Sequence, residues 1–169
     1  GGECVAARAY LNTKPVPTDV LDAIEKSFNC KLRFAVRVVR FQDLEVLFIG
    51  PYLWCSENFS ERNQTILKQM SMVSRALGLP MIAIGDFNIT WQQFEASDWP
   101  SCLKVKVIHT DAMTTTSASN DRAIDFGLIS LCIQKLFIRA RPIYTVLFGP
   151  HYGQIYEFDM HPKSVEGNV

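Results

Sequence analysis

The sequence lacks most of the compositional signals that would assign it a class at once. It has no net charge, with 17 Lys and Arg against 17 Asp and Glu in 169 residues. No global field therefore draws it to nucleic acid or to an anionic membrane, and a nucleic-acid role would have to rest on a local basic patch. No apolar run approaches the roughly 20 residues that span a bilayer. Gly1 is preceded by no Met and followed by no charged-then-apolar leader, so no targeting signal is expected and the chain reads as a fragment of a longer product. Cysteine pairs are missing too. Cys4, Cys30, Cys55, Cys102 and Cys132 are scattered, odd in number and free of any CxxC spacing, which argues against a disulfide framework or a zinc knuckle. Reduced core thiols are the expectation, and with them an intracellular compartment, cytoplasmic or nuclear. Repeats and low-complexity tracts are also lacking. What remains is a chain 48% hydrophobic and 20% charged, enough for one globular domain with a sizeable core.

The pattern along the chain alternates strands and helices. Glu3–Leu11 reads as a strand ended by a proline-containing loop, Asn12–Pro17. Thr18 is placed to cap a helix with Val20, Leu21, Ile24 and Phe28 on its apolar face and Asn29 at its end. Strands Lys31–Phe41 and Leu44–Gly50, split only by Gln42-Asp43, read as an antiparallel hairpin. The spacing of Ile66, Leu67, Met70, Val73 and Leu77 predicts a helix over Glu61–Leu77, capped by Ser60 and stopped by Gly78 and Pro80. Met81-Ile82-Ala83-Ile84 then reads as a strand buried on both faces, and Thr90 as the cap of a short helix through Phe94. Strands are expected at Lys104–His109, Ala123–Ser130, Phe137–Pro142 and Gln154–Phe158, with a polar loop at Thr110–Asp121. Hairpins mixed with strand–helix–strand units imply a layered α/β sandwich.

Chemistry is expected at the end of the buried strand, in Gly85-Asp86-Phe87-Asn88. Ligands in open α/β sheets gather beyond the carboxyl ends of strands. On an extended stretch Asp86 and Asn88 would face the same way, offering a carboxylate for a hard cation or a water and an amide for a phosphoryl oxygen. The bland reading is a turn, since Gly, Asp and Asn are all turn formers. Asp125 puts a carboxylate into an apolar strand, which is costly without a partner; a histidine, Arg122 or a metal could serve, or the residue could face solvent on an edge strand. His109 reads as structural. Arg33 with Arg37, Lys104 with Lys106, and Arg139 with Arg141 could form phosphate-contacting rows or ordinary solvated faces.

In this order the segments resemble the endonuclease/exonuclease/phosphatase superfamily. Gly1-Gly2 and the following strand resemble its Gly-Gly-apolar strand, and Leu47–Tyr52 the strand that carries its active-site tyrosine. Gly85-Asp86-Phe87-Asn88 resembles its Gly-Asp-Phe/Leu-Asn, and Ile124-Asp125-Phe126-Gly127-Leu128-Ile129-Ser130 its Ile-Asp-Tyr-x-Leu-x-Ser. Phe148-Gly149-Pro150-His151 and the strand after it resemble the terminal Ser-Asp-His; His151 is preferred to His161 of Asp159-Met160-His161-Pro162 because a closing strand follows it.

The resemblance implies a DNase I-like four-layer α/β sandwich, two mixed sheets flanked by helices. Residues 1–160 would form the C-terminal portion of one domain and 161–169 a tail. It implies that Asp86 orients or activates the attacking water, that Asn88 and Tyr52 contact the phosphate, and that Asp125 pairs with a His151 that acts as acid/base or stabilises phosphoryl charge. Arg122 joins the substrate-binding residues. Magnesium, or manganese in its place, would be held by Asp86 and Asn88, an incomplete site. The family's early asparagine and magnesium-holding glutamate are unmatched, and Pro150 stands where the family has aspartate. The substrate implied is a phosphate ester, nucleic acid foremost. A degenerate family member that only binds, and a phosphatase of a soluble or lipid phosphate, are the alternatives.

Overall fold

A computed structural model describes residues 12–112, 114, 122–145 and 151–159. The strand expected at Glu3–Leu11, the Gly1-Gly2 pair, Phe148-Gly149-Pro150, His161 and most of the Thr110–Asp121 loop lie outside them.

The large sheet has six strands: β1 (Asn12–Lys14), β2 (Phe34–Phe41), β3 (Leu44–Pro51), β4 (Met81–Asp86), β5 (Val105–Ile108) and β6 (Asp125–Ser130). Their order is β1-β2-β3-β4-β6-β5. All neighbours are antiparallel except β3 and β4, whose parallel pairing requires the crossover helix between them. A second sheet pairs β7 (Phe137–Ile143) with β8 (Gly153–Phe158), antiparallel. The helices are α1 (Thr18–Phe28), α2 (Glu61–Leu77), α3 (Trp91–Glu95) and α4 (Trp99–Leu103).

Strand periodicity explains how the layers assemble. Leu47, Ile49, Met81, Ala83, Phe126 and Leu128 share one buried cluster with Ile24 of α1 and Ile66, Leu67, Met70 and Val73 of α2. The alternate residues Val46, Ile82 and Ile129 join a second cluster, packed against Phe137, Tyr156 and Phe158 of the small sheet. Both faces of β4 are therefore buried, as its unbroken apolar sequence requires. The layers are helices, large sheet and second sheet, a DNase I-like α/β arrangement.

Local chemistry sets the boundaries. Ser60 accepts the amide of Asn63 at the start of α2, and Gly78 closes the helix at φ 64°. Thr90 and Gln93 form a capping box on α3. Asn29 ends α1 in the left-handed region, but Thr18 is the first helical residue and Pro17 precedes it without a side-chain cap. The expected loop at residues 12–17 begins with strand β1, paired on the edge of β2. The expected core thiols are a correction: Cys30, Cys55, Cys102 and Cys132 are free but exposed. Their sulfurs flank turns and helix ends rather than the apolar stripes. Among the described residues no helix is long and apolar enough to cross a membrane.

Candidate active site

The site lies where β4 ends. Gly85 pairs with Phe126, and Asp86 with Asp125, across the antiparallel β4–β6 ladder. Two carboxylates thus stand on neighbouring strands at one rim of the sheet. Gly85 is required for a reason different from the expected turn or ligand approach. A Cβ there would lie 2.3 Å from the Pro51 carbonyl oxygen, so the glycine lets β4 close against the end of β3. That contact brings Tyr52 beside Asp86 in a parallel bridge, and the Leu53 amide donates to the Asp86 carbonyl at 3.0 Å.

After Asp86 the chain leaves the extended form. Phe87 is fully buried, stacked on Phe126 at 4.1 Å, and its amide donates to the Ile124 carbonyl at 3.0 Å. Asn88 adopts φ 51° and is 6% exposed. Its amide donates to Asp86 Oδ1 at 2.8 Å and its side-chain Nδ2 to the Leu53 carbonyl at 2.8 Å. This corrects the expected alternation: Asp86 and Asn88 are not two residues of one strand face. The turn and the functional reading coexist, because the turn is what fixes the Asp86 carboxylate.

Asp125, in a half-buried position, has the partner its burial demands. Nδ1 of His151 lies 2.9 Å from its Oδ2. Of the partners considered from the sequence, the imidazole is the one seen hydrogen-bonded to the carboxylate. One ligand atom each from Asp86, Asp125 and His151 lie within 4.8 Å of one another. Burial acts against charge on the His151 ring, but the Asp125 hydrogen bond and charge, with the Asp86 charge behind them, outweigh it and raise its pKa above 6.5.

Three supports were not read from the sequence. Thr114, 2% exposed, accepts the amides of Ile124 and Asp125 at 3.0 Å each through its hydroxyl. Its carbonyl takes the Tyr152 amide at 2.8 Å, so one residue ties the start of β6 to the neighbour of His151. Gln154 donates to the Asp125 carbonyl at 2.7 Å and accepts from the Tyr156 hydroxyl. Burial and the Asp125 charge push the Tyr156 phenol far above its ordinary pKa, so it stays a donor. Arg122 contributes its carbonyl to Thr114 beside the strand start.

The basic rows divide. Arg139 and Arg141 share Glu157 and form a solvated ion-pair face. Arg33 instead turns to Tyr52, donating from Nε to its carbonyl at 3.3 Å. His109 stacks on Trp91 at 3.8 Å, the structural role expected of it.

A hard divalent cation takes oxygen ligands and keeps several waters. Two carboxylates at one sheet rim fit that preference, and the imidazole is held by Asp125 for proton or charge work.

No protein-family profile and no curated protein sequence matches the chain. Its structure is similar to the endonuclease domain of TRAS1, a telomere-specific non-LTR retrotransposon, with TM-score 0.68 and 14% identity over 89% of this chain and 68% of that one. The AP endonuclease LMAP from Leishmania major superposes with TM-score 0.59 and 11% identity, covering 75% of this chain and 54% of that one. An endonuclease/exonuclease/phosphatase family protein from Leptotrichia buccalis gives TM-score 0.58 and 11% identity, covering 74% and 52%. The chain spans about half the length of these last two. On layers, strand order and these likenesses together, the chain has a DNase I-like α/β fold, which it shares with these structures.

Proposed function

We propose that this protein hydrolyses phosphodiester bonds with the help of a divalent cation, magnesium or manganese, and that its substrate is a nucleic acid. The observation that carries the reading is the convergence of Asp86, Asp125 and His151 within 4.8 Å at the carboxyl end of a buried central strand. Function cannot follow from fold alone; here it rests on that cluster. Asp86, pinned by the Asn88 amide, holds the cation with Asn88 beside it and orients the attacking water. A bound cation would supply charge stabilisation at the phosphoryl group and a more acidic water. Asp125 fixes the His151 tautomer and favours the protonated ring, which suits charge on a phosphoryl oxygen or protonation of the leaving oxygen. Tyr52 and Arg122 flank the phosphate position. On this reading residues 1–160 correspond to the C-terminal portion of such a domain and 161–169 to its tail, a division that the partial coverage of the two endonuclease-type neighbours supports.

The test uses plasmid DNA, an abasic-site duplex and a phosphoinositide, each with magnesium and with chelator. Magnesium-dependent nicking that is lost in Asp86→Asn and in His151→Ala supports the reading. Cleavage of the phosphoinositide alone points to the phosphatase alternative. Background rates on all three, from a folded sample, leave a domain that only binds.

A further inference from the structure

Beside Tyr52, an indole is held between two guanidinium groups. Arg33 Cζ lies 3.6 Å and Arg62 Cζ 3.8 Å from the Trp54 ring. At those heights both cations sit nearly on the ring axis, so they must occupy opposite faces. Arg33 also lies 5.0 Å from the Tyr52 ring, which joins the stack to the residue bridged to Asp86.

The stack is built rather than fortuitous. Asn63, fully buried, accepts the Trp54 amide at 2.7 Å and donates to the Trp54 carbonyl at 3.1 Å and the Asn58 carbonyl at 2.7 Å. The tryptophan is thereby clamped to α2 one residue from Arg62. Stacking occupies guanidinium faces and leaves the in-plane N–H donors for other acceptors. Among the described residues Arg33 has no carboxylate partner, and Arg62, whose side chain is 59% exposed, has one, Glu57, at 3.0 Å. Arg62 also sits in the first turn of α2, where the helix dipole disfavours a cation. Helix stability does not account for it.

We infer that the Arg33–Trp54–Arg62 stack is a second phosphate-binding subsite, which grips the polynucleotide backbone beside the scissile phosphate. Two cations one indole apart suit successive phosphates of a strand, not a single phosphoryl group. The subsite therefore distinguishes a polymer from a small ester. This inference rests on the nucleic-acid reading proposed above, but concerns binding and needs no turnover.

The experiment is anisotropy of a labelled DNA duplex with the full chain in chelator, across a salt series. Arg62→Gln should weaken binding about 3- to 10-fold and flatten the log–log salt slope by about 0.9, the value for one phosphate contact. Glu57→Gln, which frees Arg62, should tighten it. Arg40→Gln and Asp43→Asn make the same charge changes at the far end of the β2–β3 hairpin and should change nothing. Equal loss in Arg62→Gln and Arg40→Gln, or loss in neither, overturns the inference, as does polyglutamate competing as well as DNA. If nicking fails while the Arg62-selective effect persists, the subsite stands and hydrolysis falls. If nicking succeeds without that effect, the reverse holds.

Discussion

His151 Nδ1 and Asp125 Oδ2 lie 2.9 Å apart across 26 residues of chain, and against the opposing effect of burial this contact raises the pKa of the imidazole. Removing the carboxylate should leave burial as the dominant influence. In Asp125→Asn the His151 titration followed by NMR should move from above 6.5 to below it.

The same shift fixes a pH dependence. A group whose folded pKa is raised stabilises the fold fully below its unfolded value and loses that contribution as pH rises through its folded value. Wild type should therefore exceed His151→Gln in stability most at pH values under 6.5, with the difference shrinking above the folded pKa. Urea midpoints measured across that window check it. A difference that grows toward alkaline pH would mean that the ring is held neutral.

Thr114 is expected to matter more than an isolated loop threonine. Thr114→Val removes the acceptor of two amides, Ile124 and Asp125, and orphaned buried groups cost about 1–3 kcal/mol each. The loss should be of order 2–6 kcal/mol, with faster hydrogen exchange at these two amides. Thr114→Ser keeps the hydroxyl and should recover most of it.

Gly85→Ala tests how the site is closed. The added Cβ meets backbone, the Pro51 oxygen at 2.3 Å, whereas at Gly127 it meets the Ile108 and Ile84 side chains at 2.7 and 3.3 Å. Side chains can shift more easily than a paired strand end. Gly85→Ala should cost about 3 kcal/mol or more by chemical denaturation, and Gly127→Ala less.

The helix α2 was legible to its last residue, because apolar spacing, the Ser60 cap and Gly78 are local signals that agree. The buried strand Met81–Ile84 was legible from its unbroken apolar run, and the structure carries it two residues further, to Asp86. α4 was not: its five residues, with Pro100 near the start, are helical because Leu103 is buried and Trp99 packs on the core. β1 was missed because edge pairing uses backbone and needs no side-chain pattern. At the site, the residue types of Asp86 and Asp125 were informative, but their register opposite one another belongs to the sheet. Asn63 did leave a signal. It lies three and four residues before Ile66 and Leu67, a polar group on the buried stripe, which marks a side chain with a committed partner. The expected alternation of Asp86 and Asn88 failed because the burial of Phe87 turns the chain between them.

Asn88 gives a further separation of roles. Asn88→Gly keeps φ 51° accessible but removes the hydrogen bond to Leu53, so it should cost about 1 kcal/mol. Asn88→Ala adds left-handed strain and should cost roughly 1 kcal/mol more. Equal costs in thermal unfolding would mean that backbone geometry does not hold this turn.

A divalent cation is expected at the β4 rim, on Asp86 beside Asn88 and close to the Asp125–His151 pair. Paramagnetic broadening by substoichiometric manganese, followed in the NMR spectrum of the intact chain, tests it most directly. The Gly85–Asn88, Asp125 and His151 signals should be lost selectively, the loss being reversed by excess magnesium and absent in Asp86→Asn. Broadening that spares these residues, or that persists unchanged in folded Asp86→Asn, would contradict it.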